Sequence, residues 1–142
     1  MHLISRITLL FQRLEYYGWP FLLLAIRLSM GYLFWRSGKL KIKHFDATLD
    51  LFRFEYKVPL IPPDIAAYFT MAFEVVCPIL LVLGLMTRVA TIPLLLITGV
   101  IQMTYICHLD HLYWSLLLGV LLLKGAGAFS MDALWNRRYG FR

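Results

Sequence analysis

Charged side chains are scarce in this 142-residue sequence: Asp, Glu, Lys and Arg make up 15% of it, whereas 61% is apolar. A soluble domain is about a quarter charged and rarely more than about half apolar, so a water-soluble monomer of this composition lacks the polar surface to cover its core. A mean hydropathy of +0.72 places the chain in a membrane instead. Cysteine is nearly missing. Cys77 and Cys107 form no CxxC, and two thiols are too few for a disulfide framework or a metal cage. Acidic residues number 8 against 14 Lys and Arg, a net charge of +6. No stripe of base-reading side chains or Gly-rich RNA motif accompanies that excess. It is assigned to topology and anionic lipid head groups, and nucleic acid is excluded as a partner. There is no GxSxG, Walker loop, Rossmann fingerprint or HExxH. The glycines of GAGAF at 125–129 follow no strand, so they read as close packing and a helix end. At about 20 apolar residues per crossing, no room remains for a self-contained soluble active site.

What is present is an all-α pattern, predicting a bundle of four transmembrane helices with amphipathic interfacial helices at the N-terminus and between the first two spans, in one domain of residues 1–142. Residues 3–17 place Leu3, Ile4, Ile7, Leu10, Phe11 and Leu14 at helical spacing with Arg6, Gln12, Arg13 and Glu15 elsewhere, which predicts a helix lying among head groups. Arg6 and Arg13 interrupt the apolar stretch and no small-x-small cleavage site follows, so the segment is not read as a signal peptide. Spans are expected at 19–35, 65–85, 89–107 and 112–129, with Lys124 snorkelling from the last. Between the first two, 44–57 places Phe45, Thr48, Leu49, Phe52 and Tyr56 on one face, predicting a second interfacial helix. VPLIPPD ends that helix and starts the next, with Asp64 in the first turn. Four spans put both termini on one side, together with Arg6, Arg13, Arg88, Lys124, Arg137, Arg138 and Arg142. Arg36, Lys39, Lys41, Lys43, Arg53 and Lys57 face the other, so a bias of one residue leaves orientation undecided.

Arg27 and Glu74 sit near the centres of the first and second predicted spans. An ionisable group at mid-bilayer costs several kcal/mol and is rarely left alone, so the two are expected to pair. The pair is either a clasp fixing helix order or a site that protonates or binds the head of a quinone or another small polar molecule. Gln102 and Thr98 give the third span a polar side and either join this buried network or form ordinary interhelical hydrogen bonds. Cys77 and Cys107 lie about 14 and 31 Å from the turn joining their helices, too far apart in depth to pair within that hairpin. Cys107, His108, Asp110 and His111 present metal-ligand atoms at one membrane face. The spacing matches no closed site, and the alternative is a solvated loop capping the fourth span.

The order of landmarks resembles the DoxX family of small four-helix membrane proteins. These landmarks are Arg27, Gly31, Ser37-Gly38-Lys39, Pro59, Glu74, LxLGLxTR from Leu81 to Arg88, and the closing Gly125, Gly127, Ser130 and Asp132. The stretch FWRSGKLKIKHFDATLDLFRFEYKVPLIPPDIAAY is similar to a subfamily found with iron-dependent enzymes that modify copper-binding, cysteine-containing peptides. The resemblance implies an inner-membrane accessory protein with cytoplasmic termini, partnering another protein of a redox or metallopeptide-maturation system and not catalytic by itself. It also implies an alternative, a quinone-interacting subunit of an oxidoreductase. There Arg27, Glu74 and Gln102 form the head-group site and Lys39 an interfacial anchor. A third reading is a small proton-coupled transporter working as a homo-oligomer, since four short spans leave little space for a solvated path. No catalytic residues are carried over.

Overall fold

The computed structural model describes residues 2–56, 61–104 and 109–139, with side chains from 6 to 138 within them. Its longest element is α1, His2–Lys43, a single helix of 42 residues and about 63 Å. The expected interfacial helix 3–17 and first span 19–35 are therefore one uninterrupted element, and it continues eight residues beyond Trp35. Pro20 does not break it. Residues 6–18 are exposed on every face, so this part of α1 extends beyond the bundle and adds nothing to its core. Leu23, Ile26, Arg27, Met30, Phe34 and Gly38 form the buried stripe, with the alternating three- and four-residue steps of one helical face.

The predicted surface helix 44–57 is α2, Phe45–Asp50, followed directly by a π-helical turn, Leu51–Tyr56; Lys57 lies outside the described residues. Thr48, Phe52 and Tyr56 do share a face, but it packs inward on Ala66 and Ala67 at the start of α3. Aromatic rings find a complementary wall of small residues there, which covers them more completely than a flat head-group region would.

Helix α3, Pro63–Leu83, begins with Pro at the first position and Asp64 in the first turn and ends at Gly84, in the left-handed conformation with φ 67°. A short turn leads to α4, Thr87–Thr104, then α5, Leu109–Lys124, and α6, Met131–Tyr139. The fourth span predicted at 112–129 is thus shorter and begins earlier. It stops at Lys124, and a further short helix, α6, follows it. Among the described residues three helices, α1, α3 and α4, are long and apolar enough to cross a membrane; α5, with 16 residues, spans about 24 Å.

Helices α1, α3, α4 and α5 pack as a closed ring around Met30, Phe34, Leu81, Leu94, Leu118 and Leu121. The α1–α3 contact is antiparallel and close. A Cβ at Gly38 would lie 2.8 Å from the Glu74 carbonyl oxygen, nearer than real Cβ atoms approach. Only glycine lets the two backbones meet at this level, and the register then follows: Gly38 opposite Glu74, Gly31 opposite Pro78 and Val82, Arg27 opposite Gly84.

Candidate functional site

That register separates the two residues expected to pair. Arg27 lies 11 positions before Gly38 on α1, about 16 Å along the axis, while Glu74 lies at the level of Gly38. The partner of Glu74 is Lys41, with Nζ 2.6 Å from Oε2. Lys41 is one turn beyond Gly38 and also donates to Ser37 Oγ at 2.8 Å. Glu74 is 2% exposed and Lys41 12%, so the pair is largely out of water. A charged pair in such a setting is costly to form and more costly to break by halves. The sequence reading missed Lys41 because it ended the helix at Trp35. Carried on past that point, the buried stripe through Arg27, Met30 and Phe34 reaches Ser37 and Lys41, whereas Lys39 points to the exposed side.

The pair forms part of the wall of a cavity of about 470 Å³ between α1, α3, α4 and α5. Phe34, Ser37, Leu40 and Lys41 line it from α1, and Ile97, Thr98 and Ile101 from α4. His111 and Trp114 come from α5, Glu74 from α3 and Tyr56 from the π-helical turn. Gln102 reaches the site indirectly: its Oε1 lies 3.1 Å from His111 Nδ1, tying α4 to α5, and the His111 ring meets Trp114 edge-on at 5.0 Å. Thr98 donates to Leu94 O of its own helix at 2.7 Å rather than to Glu74. Cys107 and His108 lie outside the described residues. His111 is engaged with Gln102, and among the described residues no three His, Cys, Asp or Glu converge as a metal site. Cys77 is buried with a free thiol.

The cavity thus presents an ammonium, a carboxylate, the Ser37 hydroxyl and an imidazole, with the Arg36 guanidinium at its exposed edge, within mostly apolar walls, as ligand sites commonly do. Tyr56, Ile97 and Ile101 are shared with a neighbouring apolar groove of about 230 Å³ lined by Phe69, Phe73 and Leu96.

Arg27 belongs to a second constellation, at the opposite end of the α1–α3 contact. It is fully buried, and its Nη2 donates to Phe129 O, while Nε and Nη1 have no partner among the described residues. Asp132 lies near enough to attract it electrostatically. The Asp132 carboxylate accepts the N–H groups of Met86 at 2.9 Å and Thr87 at 3.2 Å, capping α4 from α6. In return, the Asp132 N–H donates to Gly84 O at 3.0 Å. Ser130 Oγ accepts the Ala133 N–H at 3.1 Å and caps α6. Leu81–Arg88 and the closing Gly125, Gly127, Ser130 and Asp132, read separately in the sequence, are therefore two halves of one clasp.

A family model described as DoxX matches residues 22–108, which include Arg27, Lys41 and Glu74. A protein of Haemophilus influenzae described as "Uncharacterized protein" is 29% identical over 131 residues, covering 82% of this chain and 85% of its own. No solved structure matches the chain.

Proposed function

This chain belongs to the DoxX family of membrane proteins, and on that premise we propose that it is an accessory subunit of a redox system whose α1–α3–α4–α5 cavity receives the polar head of a quinone-like molecule. The observation that carries this reading is the Lys41–Glu74 pair in the cavity wall. The buried Lys41–Glu74 pair is net neutral and the further cation of the lining, Arg36, is on the exposed side, so the buried part of the cavity suits an uncharged head. Lys41 donates to a carbonyl and Glu74 accepts from a hydroxyl. His111 adds an imidazole on the far wall, and the groove beyond Tyr56 offers room for the tail. These residues bind and orient; when bound, the quinone would supply the electron-carrying chemistry, and the partner protein the substrate.

In this reading α5 is the fourth crossing, carried through by its packing against α4, and the membrane is the bacterial inner membrane with cytoplasmic termini. The exposed apolar side of residues 6–18 is available to lipid or to a partner. The system served is one that matures a metal-binding peptide. Support for that assignment is the resemblance of the stretch from Phe34 to Tyr68, which contributes Phe34, Ser37, Leu40, Lys41 and Tyr56 to the cavity.

The test is affinity purification in mild detergent, with identification of co-purifying protein and extracted small molecules. The expected result is a quinone retained by the wild type and lost from Glu74→Gln and Lys41→Met, with a soluble partner retained by all three. Equal quinone content in wild type and a folded Glu74→Gln variant would remove the head-group assignment.

A further inference from the structure

A second cavity, of about 570 Å³, lies at the clasp end between the start of α4, the 125–130 loop and α6, and it does not depend on the quinone reading. Thr87, Arg88, Lys124, Ser130, Asp132 and Asn136 supply its polar lining. Its position is interfacial. Lys124 is the last residue of α5, immediately after its apolar run, and its Nζ lies 4.7 Å from the centroid of the Trp19 ring. Trp135 on α6 adds a second aromatic at the rim, exposed as belt residues are. Met86 and Val89 continue the wall as exposed apolar side chains, where lipid chains would lie.

Two exposed cations, Arg88 and Lys124, are among the lining residues. The carboxylate in the lining, Asp132, has its oxygens engaged by the Met86 and Thr87 N–H groups, and the buried Arg27 guanidinium stands near it. An independent observation points to a ligand. Thr87 is 1% exposed and lines the cavity, yet its Oγ1 has no hydrogen-bond partner among the described residues. A buried hydroxyl without a partner is costly, and a phosphate oxygen in the cavity would satisfy it.

We propose that this cavity binds the phosphate of an anionic phospholipid head group, with Arg88 and Lys124 supplying the attraction and the Thr87 hydroxyl a hydrogen bond. Basic pockets between helices at a membrane face recognise anionic head groups in this way. The bilayer is the preferred source, because the lipid arrives already concentrated at this depth and its chains cover Met86 and Val89.

The test is native mass spectrometry of the whole chain in mild detergent, titrated with phosphatidylglycerol or phosphatidylcholine. Wild type is expected to retain the anionic lipid over the zwitterionic one by about 25-fold, and Arg88→Gln with Lys124→Gln to abolish that preference, at about fivefold per charge. Arg88 Nη2 also donates to Leu123 O at 3.2 Å, so the double variant could lose structure. Thr87→Val keeps the backbone N–H that Asp132 caps and removes only the hydroxyl. It should hold or raise the thermal midpoint in lipid-free detergent while weakening phosphatidylglycerol retention about tenfold. Equal retention of the two lipids by wild type, or undiminished retention by Thr87→Val, would overturn the proposal. So would displacement of the lipid by excess inorganic phosphate that alone raises the thermal midpoint, which would assign the site to free phosphate.

Discussion

At one end of the α1–α3 contact Glu74 meets Lys41 beside a cavity, and at the other Arg27 is enclosed by the Phe129 carbonyl, a nearby capping carboxylate and the tight Gly84 turn. Both ends hold buried charge, but they use it differently. The Arg27 end joins segments distant in sequence through hydrogen bonds to main-chain atoms, so it fixes where α4 and α6 begin. At the Lys41 end, side chain meets side chain with space beside them, an arrangement that can exchange partners when a ligand enters. In the proposed function the difference separates a clasp from a site, giving to different residues the two roles weighed for a single Arg27–Glu74 pair.

The comparison can be broken at either end. The largest effect is expected at Gly84, where φ is 67° and a Cβ would run into the Arg27 guanidinium and lie 2.6 Å from Ser130 Cβ. Gly84→Val should cost about 4 kcal/mol by combining left-handed strain with overpacking, read as a collapse of the thermal midpoint in detergent. At the other end, Glu74→Ala strands Lys41 and should cost about 3 kcal/mol. The double variant Glu74→Leu with Lys41→Met should recover most of that stability yet retain no quinone. A double variant no more stable than Glu74→Ala would show that the pair is not the energetic unit.

Asp132→Ala removes the cap from α4 and should cost about 2 kcal/mol without changing what the Lys41 cavity retains. Loss of cavity ligand from a folded Asp132→Ala protein would mean that the two ends are coupled. The smallest effect belongs to the ion pair outside both constellations, Arg53–Asp64, at 2.8 Å with side chains 46% and 53% exposed. Arg53→Ala should shift stability by less than about 1 kcal/mol, and a larger loss would point to a role for the π-helical turn in holding Tyr56 at the cavity.

Much of this architecture was legible in advance because it rests on local rules. Apolar residues at helical spacing marked α3 and α4, proline and Asp64 marked the start of α3, and Gly84 its end. Glu74 and Gln102 stood out as polar residues in apolar surroundings. Lys41 did not, because a lysine near the end of an apolar stretch looks like any interfacial charge until its helix is known to continue and its face to turn inward. The packing of 44–57 on α3 was hidden for a related reason. Amphipathicity marks a face to be covered but does not say whether lipid or another helix covers it.

The scarcity of charge therefore determined that this chain belongs in a membrane, and the period of its apolar residues determined that it is helical. Those properties depend on solvent and on neighbours three or four positions away. Pairing depends on register between helices. Close approach at Gly38 fixes it by bringing Lys41, not Arg27, to the depth of Glu74. The tertiary structure alone decided which buried charges meet, because a helix contact sets depth to within a turn and one turn is enough to change a partner.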